Sequence, residues 1–143
     1  MPCNTAHHYA PDIAAAARVP LLNMVTLSAQ AALEKNGKGA RSGVLGSPAL
    51  RQIGLFDRAL AANGMHGLYP QDEPALLAAI QSVKRSGPSP AAGADLCLVD
   101  CTEFSLLRGE PGSPVPVIDT LDVLTRAIRD FVFCGFVPAE VQV

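Results

Sequence analysis

Leu96-Cys97-Leu98-Val99 is apolar at every position and runs directly into Asp100-Cys101-Thr102-Glu103. A strand with one wet face alternates apolar and polar residues, whereas an unbroken apolar run belongs to a strand covered on both faces. Such strands occur in parallel sheets, whose crossover connections lay helices against the sheet. This run therefore predicts an α/β fold. Open α/β sheets hold ligands just past the carboxyl ends of their strands, which is where Cys101 falls.

The rest of the chain repeats the alternation of helical and strand-like patterns. Residues 4–17 are Ala-rich, open on Asn4-Thr5 as a capping pair, and stop before Val19-Pro20, where proline disfavours helix in the residue preceding it. Leu21 to Val25 is a short apolar run. Leu27, Ala31 and Leu33 recur at helical spacing and predict a helix over 26–36, stopped by Gly37. Gly43-Val44-Leu45-Gly46 reads as a buried strand, and Leu50, Ile53, Leu55, Phe56 and Leu60 as one helix closed by Asn63-Gly64. A strand over 66–69, a helix over 72–84 with Pro74 in its first turn, and a loop at Ser86-Gly87-Pro88-Ser89-Pro90 follow. A last strand over 115–118 leads into a helix capped by Asp119-Thr120 and running to about Phe133.

Size and charge narrow the function. A chain of 143 residues is one domain's worth, enough to bury roughly 70% of its unfolded surface. Eleven basic against thirteen acidic residues and 5% aromatics give no basic stripe and few stacking side chains, so nucleic acid is not an expected partner. Apolar runs such as Leu76-Leu77-Ala78-Ala79-Ile80 are far shorter than the roughly 20 residues that span a bilayer. Met1-Pro2-Cys3-Asn4 has neither the basic nor the apolar region of a secretory signal, so a reducing cytoplasm is the expected location. Cys3, Cys97, Cys101 and Cys134 are then thiols, with Cys97 and Cys134 expected in the core.

Chemistry concentrates in two motifs, Cys3-Asn4-Thr5-Ala6-His7 and Asp100-Cys101-Thr102-Glu103. A thiol near a helix N-terminus is more easily ionised, and the Asn and Thr residues that follow offer donors for a carboxylate. If the two turns face each other, one thiolate can take a proton from a carbon while the opposite thiol returns one to the other face, inverting the centre. Asn4 and Thr5 can equally serve as helix caps, and Glu103 reads as a solvated or capping residue. His7 and His8 beside Cys3 leave the remaining ligands of a metal unspecified, and no Cys-x-x-Cys is present, so no metal is expected.

In register and order, Pro2-Cys3-Asn4-Thr5-Ala6-His7, Val19-Pro20-Leu21-Leu22-Asn23-Met24-Val25, Gly43-Val44-Leu45-Gly46-Ser47 and residues 95–107 with their Cys101-Thr102-Glu103 closely resemble the aspartate/glutamate racemase family. The resemblance covers about residues 2–131. It implies a Rossmann-like, three-layer α/β lobe with a parallel sheet, facing a second similar lobe, and an amino-acid racemase without cofactor. It implies Cys3 and Cys101 as the acid/base pair acting on aspartate or glutamate, and Asn4, Thr5 and Thr102 as holders of the substrate's polar groups. Family members carry further chain ahead of the first Cys motif. Residues 1–25 are therefore expected to be the remnant of the first lobe in a shortened chain, 26–131 the second lobe and 132–143 a tail. Two other outcomes stay open: a catalytically silent homologue, or a carboxylate-binding module that forms oligomers to cover a sheet edge. The chain departs from the pattern at Asp100, where Gly often precedes the second Cys, and at Leu124, where many relatives have His. The 86–90 loop also replaces a longer helical connection. An anion at residue 100 would raise the pKa of the adjacent thiol.

Overall fold

The apolar run at the heart of the sequence is a central strand. The computed structural model describes residues 1–74, 94–100, 105 and 115–134. Within them, β1 (Arg41–Leu45), β2 (His66–Leu68), β3 (Leu96–Val99) and β4 (Val117–Asp119) form one parallel sheet in the order β2-β1-β3-β4. All four residues of β3 are buried, as expected of a strand covered on both faces. At the amino ends of the central pair, Arg41 N–H donates to Asp95 Oδ2 at 2.8 Å and Asp95 N–H to Arg41 O at 2.8 Å, while the Asn36 amide donates to Asp95 O at 3.0 Å. These bonds set the register in which Val44 lies beside Leu98 and Leu45 beside Val99.

Because side chains alternate along a strand, that register puts Val44, Leu96, Leu98 and Ile118 on one face. Onto it pack Val25, Ala29 and Ala32 of α2 (Met24–Asn36), together with Leu50 of α3 (Pro48–Ile53) and Phe56 and Leu60 of α4 (Leu55–Ala62). The other face of the central strands carries Leu45, Cys97 and Val99, which are also buried. Helix α2 serves two neighbours. Val25, Ala29 and Ala32, at helical spacing, look to the sheet, while Met24 and Leu27 join Leu124 of α5 (Thr120–Cys134) in a smaller cluster with Leu22 and Ala127. Leu124 is thus a core residue, 2% exposed.

Four sequence expectations need correction. The helix read over 50–60 is two helices, broken at Gly54, whose φ of 69° is left-handed backbone that favours glycine. The apolar spacing runs across the break because both helices face the same core. The helix read over 4–17 opens as a 3₁₀ turn, Thr5–Tyr9, before α1 (Ala10–Ala16). Cys134, expected in the core, is exposed, beside Ile128, Val132 and Phe133, which are 46%, 65% and 82% exposed near the end of α5. The helix from 26 starts at Met24, with Asn23 Oδ1 accepting from Val25 and Thr26 N–H as its cap. Asp119 Oδ1 likewise accepts from Leu121 N–H at 2.9 Å at the start of α5. Most of the helix read over 72–84, the 86–90 loop, Cys101-Thr102-Glu103 and the tail lie outside the described residues. No helix among the described residues is long and apolar enough to cross a membrane.

Phe56, fully buried under α2, fills the main core. Its replacement by Ala is expected to lower unfolding free energy by about 3–5 kcal/mol. Ile128→Ser, on the half-exposed side of α5, should change it by less than about 0.5 kcal/mol. Urea titration of both variants checks the contrast.

Candidate active site

The chain passes from β1 to β2 on one side and then returns to β3 on the other, so the strand order reverses between β1 and β3. The crevice at the carboxyl ends of such a pair is where this class of sheet binds ligands. Three segments meet there: the turn Gly46-Ser47 after β1, Asp100 after β3, and Thr120 after β4. The N-terminal arm reaches the same edge. Asn4 Nδ2 donates to Asp100 O at 3.0 Å and to Thr120 Oγ1 at 3.0 Å, linking residues 96 and 116 positions apart.

Asn4 is therefore no helix cap, although the sequence allows that reading. Its backbone is helical and its side chain makes no capping bond, being committed to the sheet edge. The orientation of the amide is fixed chemically, since the Asp100 carbonyl accepts only from a donor and so takes the nitrogen. Asn4 Oδ1 is left buried without a partner. Cys3, one residue earlier, is exposed, and Thr5, at the head of the 3₁₀ turn, is half-buried.

His7 holds the arm from the other side. Its Nδ1 lies 2.8 Å from Cys3 O, and Met24 N–H donates to its Nε2 at 3.1 Å. The carbonyl can only accept and the amide can only donate, so the ring is neutral with its proton on Nδ1. Burial lowers its pKa from 6.5, in keeping with that state. One imidazole thus joins the Cys3 backbone to the first residue of α2. Both ring nitrogens are occupied, and among the described residues no three His, Cys, Asp or Glu side chains gather where a metal ion could be held.

Asp100 is the unusual group. The residue is 7% exposed, and its Oδ1 is buried with no hydrogen-bond partner. Its backbone N–H donates to Leu45 O at 3.0 Å, extending the β1–β3 ladder and fixing where the carboxyl lies. Burial raises its pKa well above the ordinary 3.8, against a smaller opposing pull from the Asn4 amide. Gly46 makes the room: a Cβ there would collide with Asp100 Oδ2 and come within 2.9 Å of Leu50 Cδ2. Tyr69, just past β2, hydrogen-bonds Asp57 Oδ2 at 3.0 Å. Burial, reinforced by Asp57, raises its pKa, so the phenol stays protonated. Cys97, buried mid-strand, has its thiol pushed up to about 11 by burial and is a packing residue.

The structure thus brings the first motif, through Asn4, against the residue that precedes Cys101. Cys101 and Thr102 lie outside the described residues. Sequence reading assigned no role to His7 beyond a possible metal, and none to Thr120 beyond a cap. The pairing of Gly46 with Asp100 was visible only as a Gly at a strand end and an acidic residue ahead of Cys101.

Comparisons with known proteins bear on the family and the fold. The Asp/Glu/Hydantoin racemase family model matches residues 1–99. The broad-specificity amino-acid racemase RacX of Bacillus subtilis is 26% identical over 141 residues, covering 89% of this chain and 61% of its own length. Among solved structures, an aspartate racemase from Picrophilus torridus superposes with a TM-score of 0.62 at 22% identity, covering 88% of this chain and 60% of its own. Glutamate racemase isoform RacE1 from Bacillus anthracis does so at 0.61 and 19%, covering 98% and 59%. The chain spans about three-fifths of the length of these relatives. With the family model covering more than half of its residues, the chain belongs to the Asp/Glu/hydantoin racemase family.

Proposed function

We propose that this chain is an amino-acid racemase homologue that inverts the Cα of a small acidic amino acid, aspartate or glutamate, by proton transfer between the thiols of Cys3 and Cys101. The observation that carries the reading is the hydrogen bond from Asn4 to the Asp100 carbonyl, because it ties the residue after one Cys to the residue before the other. One thiolate removes the Cα proton and becomes a thiol, and the opposite thiol protonates the other face and becomes the thiolate. Asn4, Thr5 and Thr102 hold the substrate's polar groups. No cofactor enters the scheme, and a reducing cytoplasm keeps both thiols free.

Solvent exchange tests it. In deuterium oxide the Cα hydrogen of aspartate or glutamate is expected to wash out, as followed by NMR. Cys3→Ala and Cys101→Ala should each slow the exchange by about 100-fold or more. Folded protein that exchanges neither amino acid would sink the proposal and leave a silent or carboxylate-binding homologue.

The arm that carries Cys3 depends on neutral His7, which gives a pH prediction. The folded-state pKa of His7 is depressed, so below about pH 6.5 the unfolded chain binds more protons than the folded one. Stability from this group is complete above that pH and falls as the solution is acidified. Urea titrations at neutral pH and at about pH 5 should show the acid loss shrinking in His7→Gln relative to the parent chain. An identical pH response in the two would refute this role.

A further inference from the structure

Asn4 Oδ1 and Asp100 Oδ1 are both buried and both without a partner, in residues 3% and 7% exposed. They sit on segments joined directly by the Asn4–Asp100 hydrogen bond, at the crevice between β1 and β3 and one residue beneath exposed Cys3. A protonated carboxyl can pair with the amide oxygen, but once it is ionised neither atom can donate and both need an outside donor. Buried polar atoms are seldom left unpaired, and two unpaired acceptors on segments joined by a hydrogen bond are matched by a donor-rich cation. A primary ammonium group fits, with three N–H donors and a full positive charge.

We infer that Asp100 Oδ1 and Asn4 Oδ1 together receive the α-ammonium group of the substrate amino acid, making Asp100 a binding residue that selects an amine over a hydroxyl. The inference rests on the racemase reading for the identity of the ligand. It also accounts for Gly46, whose missing side chain leaves space for the carboxylate.

Among the described residues the Asp100 carboxyl meets the Asn4 amide from the arm and Gly46 after β1, and its charge acts on the Tyr69 phenol after β2. None of them is positively charged. Burial raises the pKa of the carboxyl in the free protein and so favours its protonated form. When the ammonium arrives, the carboxyl ionises, the ion pair forms and one proton leaves to the buffer. Amino-acid binding is thus coupled to proton release, a signature that a purely structural Asp100 would not produce.

The test is titration calorimetry at about pH 5 in two buffers of different ionisation heat, using the 143-residue chain. The probes are aspartate and glutamate and their 2-hydroxy counterparts, malate and 2-hydroxyglutarate. The amino acids should release protons on binding, which the hydroxy acids should not, and bind roughly tenfold or more tightly than the hydroxy acids. Asp100→Asn should abolish the release and most of the preference. Folding of that variant is checked separately. The raised pKa means the carboxyl's contribution to stability is present at acid pH and lost as pH rises past the folded value, so Asn at this position should raise the urea midpoint at neutral pH. Equal proton release in both proteins, or no preference for the amine, overturns the inference. If Cα exchange is nevertheless seen in the parent chain, the racemase reading survives without it. If no probe binds and no exchange occurs, both fall.

Discussion

Pairing of β1 with β3 is the constraint on which the rest of the molecule depends. The two strands are the centre of the sheet, and their register decides which side chains meet α2, α3 and α4 and which point to the opposite face. The same ladder runs one residue past β3, where Asp100 N–H reaches Leu45 O. The main-chain bond that extends the sheet therefore also places the carboxyl at its edge. Fold and site share one hydrogen-bond ladder.

Around that edge the N-terminal arm behaves as a side-chain-tethered element. It has no strand partner among the described residues and is held by Asn4 on the sheet side and His7 on the α2 side. Two buried polar side chains do here what backbone pairing does elsewhere. Each is specific in direction: an amide that must donate to a carbonyl, and an imidazole that must donate at one nitrogen and accept at the other. Such tethers position a neighbouring thiol through a short lever, since Cys3 is adjacent to Asn4 and its own carbonyl is the partner of His7.

How much of this was legible in the sequence depended on the kind of signal. Leu96-Cys97-Leu98-Val99 and Gly43-Val44-Leu45 revealed the buried parallel strands because burial on both faces leaves an unbroken apolar run. The Cys motifs revealed the family because their order along the chain is specific. Gly54 did not reveal its break, since Leu50, Phe56 and Leu60 feed one core from two helices and keep an uninterrupted helical rhythm. Asn4 misled in the same way: Asn-Thr before an Ala-rich stretch is a capping signal, and only the tertiary fold shows the amide drawn off to Asp100. Cys134 looked like core by residue type, but residue type does not say which side of α5 faces inward.

The absent side chain at Gly46 has a consequence for how this sequence can change. A Cβ at 46 and a carboxyl at 100 claim the same space, so the two positions are mutually exclusive in what they tolerate. Any larger residue at 46 requires a smaller one at 100 and, in addition, a shift of the buried Leu50 side chain. The acidic residue beside the second Cys thus holds its neighbour across the strand to glycine for as long as it is kept.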